Sequence, residues 1–301
     1  MLLAICILCE QQASTAVRDA AHPKDYFDDT LRAASDGRDT IVVSPQTGVG
    51  SDIVVSDLLA SMPEAHALGI ADGLLNDSRK RHAEAINQPL RDAIKDFDFD
   101  AIALEDSTSA LRGIPWFGLA TVRLTKDAGE KSLRTMVAAE STKQVAVLVY
   151  EYGTNPDCSA IVVKASVRIA ERPDGRAAGA GSALPGANIL YSRPVRGVVF
   201  LSDASTDPKK NIQIWSANAG EAAREALRLA AASVEALLGR SLQQSQTDIT
   251  ELRRGKDFVN IHGFMGTLLE ESAAGTVVAD RGLTYIQRLR GGSVAAAASA
   301  Q

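Results

Sequence analysis

Apolar and polar residues alternate most regularly in two segments near the middle of the chain, Gln144–Tyr152 and Ala160–Glu171. In the second segment, every other residue from Ile161 to Ile169 is apolar, and the alternate positions include charged residues. This period of two predicts strands with one solvated face. The connection Gly153–Ser159 contains Asn-Pro-Asp, which favours a turn. Because so short a connection joins only antiparallel strands, the sequence predicts a long antiparallel hairpin.

Upstream of the hairpin, the pattern changes between short strands and amphipathic helices. Thr40–Ser44 has the β-branched composition of a strand, and Ile53–Met62 places its large apolar residues on one helical face. Asn87, with Pro89 in the first turn, begins another helix, and Phe99–Leu104 is predicted as the next strand. This strand–helix–helix–strand order predicts a parallel pair of strands within an α/β layer.

Downstream of the hairpin, one long helix is followed by short strands. Asn218 and Glu221 have the spacing of a capping box, and the helix is predicted from Glu221 to Leu238. The other segments with strand character are Leu119–Thr125, Ile189–Ser192, Val195–Ser202, Phe258–Gly263, Thr267–Glu271, Thr276–Val278 and Tyr285–Leu289. The predicted fold class is therefore mixed α/β (α+β), with a long antiparallel hairpin, packing helices and a small C-terminal β extension.

Composition divides the chain into a signal or lipoprotein segment, a polar tether, a main α/β domain, a C-terminal β extension and a disordered tail. The respective ranges are 1–16, 17–39, 40–242, 243–290 and 291–301. A chain of 301 residues buries roughly 75% of its unfolded surface, so a core can form without disulfides. The formal net charge of −5 provides no basic footprint for nucleic acid.

The first residues form an apolar run that contains two cysteines. Leu2–Cys9 is much shorter than the roughly 20 residues that span a bilayer, but it fits the apolar region of an export signal. Cys6 follows Leu3-Ala4-Ile5 and is the lipidation candidate, whereas a C-x-x-C redox pair with Cys9 is the alternative. The sequence therefore predicts a location in the cell envelope, in the periplasm or at the outer membrane, lipid-anchored or free. A cytoplasmic location stays open.

Two regions are candidates for ligand binding. A TGVGS loop follows the first strand and precedes a helix, as phosphate loops do, although the lysine of such loops is missing. An acidic rim lies near the end of the predicted strand Phe99–Leu104, where α/β sheets bind ligands and carboxylates can hold Mg²⁺ or Ca²⁺. The candidate residues are Gly48, Gly50, Ser51, Asp100, Glu105 and Asp106. A tight turn and a solvated rim are the structural alternatives.

Other signatures of catalysis do not occur in the sequence. Its histidines, His22, His66, His82 and His262, have no partner at metal-ligand spacing. There is no G-x-S-x-G elbow for a serine nucleophile. No catalytic residue, metal site or cofactor is predicted.

A series of packing and turn motifs carries a family resemblance. In order, these motifs are Pro115-Trp116, a strand that ends in Tyr152, Asn155-Pro156-Asp157, Leu190-Tyr191-Ser192, and Trp215-Ser216-Ala217-Asn218 before an alanine-rich helix. Over residues 40–290 this order resembles a group of uncharacterised bacterial cell-envelope lipoproteins. The resemblance implies a lipobox, a mixed α/β domain and a small C-terminal β extension. It implies no activity, and Ile5 departs from the small residue that precedes a lipobox cysteine.

The expected function is therefore a non-enzymatic binding or assembly role in the envelope. The expected partner is an envelope protein or a small ligand, without nucleic acid and with a lipid anchor in the membrane if Cys6 is modified. The alternative is a nucleotide- or metal-dependent α/β enzyme that uses the 47–51 loop and the acidic rim at 100–106.

Overall fold

The computed structural model describes residues 24–28, 31, 36–44, 84–172, 188–255 and 257–289. Within them, one mixed sheet of nine strands is packed with helices, so the predicted mixed α/β class is confirmed. The strands are β1 (Arg38–Val43), β2 (Leu119–Thr125), β3 (Gln144–Thr154), β4 (Ala160–Glu171), β5 (Asn188–Phe200), β6 (Phe258–Ile261), β7 (Phe264–Glu271), β8 (Thr276–Ala279) and β9 (Leu283–Arg288). The helices are α1 (84–93), α2 (Phe99–Arg112), α3 (Glu130–Ala139), α4 (Pro208–Gln243) and α5 (Gln246–Arg254).

The strand order is β2-β1-β3-β4-β5-β9-β8-β7-β6. β1 lies parallel to both β2 and β3, so the sheet contains parallel strands, but neither of these partners is the predicted strand Phe99–Leu104. β3, β4 and β5 are antiparallel, and β9 returns parallel to β5. Strands β6 to β9 form a meander that joins the sheet through the β5–β9 pair. No helix among these residues is both long and apolar enough to span a bilayer.

The predicted hairpin consists of β3 and β4, and the observed bounds of β4 equal the predicted ones. The two strands pair without interruption from Gln144–Glu171 to Thr154–Ile161. Its turn lies against α4, where the indole Nε1 of Trp215 donates a hydrogen bond to the Cys158 carbonyl at 2.8 Å. The hairpin is therefore anchored to the helix layer at its tip.

The predicted strand Phe99–Leu104 is wrong, because these residues form the first turns of α2. The Asp98 side chain caps this helix by accepting a hydrogen bond from the Ala101 amide at 3.1 Å. The buried positions of α2 repeat every four residues and are Phe99, Ala103, Ser107 and Leu111. Two of these four residues are alanine and serine, so the apolar stripe of the helix is hard to recognise in the sequence.

The predicted start of the long helix at Glu221 is confirmed, because regular helical geometry resumes there after a break, and the segment before the break is a further run of helix that was not predicted. α4 begins at Pro208, and the Asp207 side chain accepts a hydrogen bond from the Lys209 amide at 3.0 Å. Regular geometry breaks at Ala217–Gly220, where the last three residues have left-handed φ angles. The predicted buried face is confirmed for Ala223, Leu227, Ala230, Val234, Leu237 and Leu238.

Two further differences concern element boundaries. The segments predicted as Ile189–Ser192 and Val195–Ser202 are one strand, β5, in which Pro194 faces the side of the sheet opposite α4. The helix α3 has no counterpart among the predicted elements, and its Leu133 and Val137 are buried. The predicted helix Ile53–Met62 lies outside the described residues.

The sheet has one large core and two small ones. The large core lies between the sheet and α2 and α4. On the opposite face, Leu133 and Val137 of α3 cover Val147 near one end, and Phe264 lies against Val198 and Phe200 near the other. The middle of that face is not covered by either small core.

Candidate functional site

A partly open cleft of about 680 Å³ lies where the parallel strands β5 and β9 end. Phe200 and Arg288 are the last residues of these strands, and both line the cleft. Small-molecule sites have volumes of roughly 300–1,000 Å³ and often lie at the carboxyl ends of parallel strands. Both the size and the position of the cleft are therefore those of a ligand site.

The walls of the cleft combine apolar and polar side chains in similar measure. Leu229 of α4 lies on one wall, with Ile261 and Ile286 from the meander opposite it. The Gln287 amide nitrogen donates to the Leu229 carbonyl at 3.3 Å and lies 3.1 Å from the Ser233 hydroxyl. Because these bonds fix the amide, Gln287 itself has little free hydrogen-bonding capacity for a ligand.

Two nitrogen-bearing side chains meet at the rim of the cleft. The guanidinium Nη2 of Arg288 lies 3.2 Å from Nε2 of His262. The imidazole also lies against the Phe200 ring, with 4.7 Å between the ring centroids. His262 and Gly263 form the tight β6–β7 turn, with φ angles of 50° and 90°. The turn geometry thus holds the imidazole beside the guanidinium.

The one carboxylate in the lining has its own cation. Glu225 of α4 lines the cleft, and its Oε2 lies 3.7 Å from Nη1 of Arg228 on the next turn. The rim formed by Arg288 and His262 therefore attracts negative charge. A guanidinium at the rim of a cleft that also has apolar side chains favours a ligand with a carboxylate or a related anion at one end.

Asp100 from the predicted acidic rim is brought to the carboxyl ends of β1 and β2. Its carboxylate accepts a hydrogen bond from the Ser44 hydroxyl and pairs with Nζ of Lys126 at 2.8 Å. Burial raises the pKa of Asp100, but the bonds from Lys126 and Ser44 outweigh that effect and lower the pKa overall. Both carboxylate oxygens are therefore engaged by side chains of the protein.

Glu105 and Asp106 lie further along α2, away from Asp100. Glu105 is exposed, whereas Asp106 is partly buried between α2 and α4. Burial, and then the negative charges of Glu235 and Glu105, raise the pKa of Asp106 to about 6. Along the helix, Asp100 is thus separated from the other two predicted carboxylates, Glu105 and Asp106. Within the described ranges, no three His, Cys, Asp or Glu side chains are grouped to hold a metal ion.

The cysteine of the hairpin turn is a structural thiol. Cys158 is buried, and its Sγ lies 3.7 Å from the Thr154 hydroxyl. Burial raises the pKa of this thiol, which disfavours the reactive thiolate. The remaining sequence candidates, Cys6, Gly48, Gly50 and Ser51, lie outside the described residues.

The sequence did not identify the cleft as a site. Its rim residues, His262 and Arg288, are 26 positions apart and belong to a turn and a strand that meet only through the sheet. The available signal was the His-Gly pair at the end of the predicted strand Phe258–Gly263, where the glycine indicates a turn but not its neighbour. No family model, curated protein or solved structure matches the chain.

Proposed function

We propose that this chain is a non-enzymatic binding protein of the bacterial cell envelope. Its ligand is a small carboxylate with an apolar body, bound in the cleft between β5, β9 and α4. The observation that carries the proposal is the Arg288–His262 pair at the rim of a cleft that also contains the apolar side chains of Leu229 and Ile261.

The two parts of such a ligand match the two parts of the cleft. An arginine forms charge-assisted hydrogen bonds with a carboxylate, which are about twice as strong as neutral ones. The apolar body leaves water against Leu229, Ile261 and Ile286. Removing apolar surface from water contributes about 25 cal/mol per Å². A ligand small enough to fit the cleft needs both the charge-assisted hydrogen bonds and the burial of its apolar body.

Octanoate is a suitable probe, measured by calorimetric titration beside octanol and acetate. We expect octanoate to bind more tightly than either, because octanol lacks the charge and acetate lacks the apolar chain. Arg288→Gln should weaken octanoate binding about tenfold or more. Arg281→Gln is the matched control, because Arg281 is exposed at the opposite end of β9. Equal binding by both variants, or binding of octanol as tight as that of octanoate, would disprove the site.

The envelope location rests on the N-terminal sequence. The apolar run Leu2–Cys9 and the position of Cys6 support export with lipid attachment. We expect the mature chain in the membrane fraction to begin at a lipidated Cys6, as measured by mass spectrometry. Globomycin or Cys6→Ala should abolish this processing. A full-length chain in the cytosol contradicts the location but leaves the cleft untouched.

A second candidate function is supported by the position of Asp100. The carboxylate lies beside Ser44 at the end of β1, three residues before the Thr47–Ser51 loop begins. A nucleotide-dependent enzyme would use this edge of the sheet. Calorimetry with ATP and Mg²⁺ tests this alternative. Binding that is lost in Asp100→Asn and in Gly48→Val would favour it over the cleft.

A further inference from the structure

Among the residues that the structure describes, neither the small core under α3 nor the small core under β6 and β7 covers the middle of the sheet face opposite α4. Alternate residues of β4 and β5 face outward there and are partly buried. They are Lys164, Ser166, Arg168, Ser192, Pro194 and Arg196. These six residues are termed the open strip.

Three side chains of the open strip, those of Ser166, Arg168 and Ser192, are polar. They have no hydrogen-bond or ion-pair partner within the part of the chain that the structure describes. Arg168 lies directly opposite Ser192 on the neighbouring strand, and Ser166 is two positions before Arg168 on the same face. Opposite residues have Cβ atoms about 4.5–5.5 Å apart, and residues two apart on a strand are about 6.6 Å apart. One guanidinium and two hydroxyls thus lie within reach of a single small anion.

At the other end of the open strip, two cations lie directly opposite each other. Lys164 pairs in register with Arg196, and like charges in such positions repel. Lys164 binds Glu151 at 2.8 Å, and Arg196 binds Asp280 at 3.3 Å. Both carboxylates are on the outer sides of the pair, on β3 and after β8. The cations keep 29% and 30% of their side-chain surface exposed.

The row between these two ends carries short side chains. Ser166 lies opposite Pro194, with Val149 of β3 on the other side. The cationic rows on either side are about 13 Å apart along the strand, within the combined reach of long Lys and Arg side chains. A β-bulge follows immediately after Arg168, between Ile169 and Ala170, and bulges re-aim side chains next to binding sites. The row of short side chains therefore has donors at both ends.

We propose that the open strip binds a phosphate-type oxyanion. Arg168 and the hydroxyls of Ser166 and Ser192 hold it from one end, and Lys164 and Arg196 hold it from the other. Arginine presents parallel N–H groups that match phosphate oxygens, and serine hydroxyls donate to the remaining oxygens. This site shares no residue with the cleft and does not depend on the proposed function.

The test is an NMR titration of the full chain with inorganic phosphate, against chloride at the same ionic strength. We expect saturable shifts at the Arg168 side-chain Nε–H and at the backbone of Ser166 and Ser192. Arg168→Gln should weaken the binding about tenfold or more. Arg240→Gln is the control, because Arg240 is an exposed arginine that pairs with Glu270 elsewhere. Its affinity for phosphate should equal that of the wild type.

A second arm identifies the source of the phosphate group. Co-sedimentation with phosphatidylcholine vesicles, with and without phosphatidic acid, measures binding to a lipid headgroup. Binding that depends on both phosphatidic acid and Arg168 indicates a headgroup, whereas phosphate binding without sedimentation indicates a soluble phosphate ester. Either outcome supports the oxyanion site.

Three results overturn the proposal. They are shifts that chloride reproduces, shifts confined to His262 and Arg288, and an Arg168→Gln chain that binds phosphate like the wild type. If Arg168→Gln does not fold, the double variant Ser166→Ala, Ser192→Ala decides. We expect that variant to bind about fivefold more weakly, from the loss of two neutral hydrogen bonds. Unchanged affinity in that variant also contradicts the site.

Discussion

Asp106 places a carboxylate between α2 and α4, where it is partly buried and senses the charge of Glu235. Nearby, the Ser107 and Tyr150 hydroxyls are hydrogen-bonded at 2.9 Å. Burial, and then Glu235 and Glu105, raise the pKa of Asp106 from its ordinary value of 3.8 to about 6. The folded chain therefore holds a proton on Asp106 at pH values where the unfolded chain has released it.

The raised pKa of Asp106 predicts a stability that falls with rising pH. Between about pH 4 and pH 6 the folded state binds more protons, so the free energy of unfolding decreases across that window and stays lower above it. We expect Asp106→Asn to stabilise the protein by about 1–2 kcal/mol at pH 7.5, after allowance for partial exposure. At pH 4 the difference should disappear. Urea unfolding across this pH range measures it.

Asp203→Asn is the control for the Asp106 variant. Asp203 is exposed in the loop after β5, so its replacement should leave the unfolding free energy unchanged at every pH. Equal effects of the two substitutions would indicate a change in net charge and not a local effect at the α2–α4 contact.

At the scale of single elements, the break in α4 contains three left-handed residues, and two of them, Ala219 and Gly220, have opposite preferences for a positive φ angle. Ala219 has φ of 55°, which an alanine adopts only at a cost, whereas Gly220 has φ of 76°. A Cβ at Gly220 would lie 2.9 Å from Cγ2 of Ile94 and 3.2 Å from Cβ of Ala93. The break therefore lets α4 approach the end of α1 closely.

Substitutions at the break should act in opposite directions. We expect Ala219→Gly to stabilise the protein by about 0.5–1 kcal/mol, and Gly220→Ala to destabilise it by about 2 kcal/mol. Gly239→Ala is the reference, because Gly239 lies in regular helix and a Cβ added there would meet no other atom within 4 Å. It should stabilise by about 1 kcal/mol. If Gly220→Ala instead matches Gly239→Ala in urea midpoint, the break does not have this geometry.

The elements that the sequence predicts best are those whose signal is local. The alternation in β4 is complete within the strand, so its bounds were predicted correctly. α2 was mistaken for a strand because Ser107 and Ala103 lie on its buried stripe, where tertiary packing and not hydrophobicity decides the conformation. The cleft required the pairing of β5 with β9, a contact between distant segments that no local pattern encodes.

At the scale of the whole molecule, the C-terminal strands are built into the same sheet as the hairpin. Six residues of β9 pair with Val195–Phe200 of β5. The small core under the meander combines Val162 of β4 and Phe200 of β5 with Ile286 of β9. The cleft also has walls from both parts of the chain. The cleft and the sheet therefore depend on the same long-range pairing.

This continuity predicts that the range 40–242 depends on the C-terminal strands. A chain that ends after Gln244 loses β6–β9, which exposes the hydrogen-bonding edge of β5 and the apolar side chains of Val162, Val198 and Phe200. We expect it to bind a hydrophobic dye and to lose the single cooperative urea transition of the full chain. A chain that ends after Leu289 keeps every strand and should unfold at the midpoint of the full chain. If the shorter chain also unfolds cooperatively at that midpoint, the segment 243–290 is an appended extension, as its composition alone predicts.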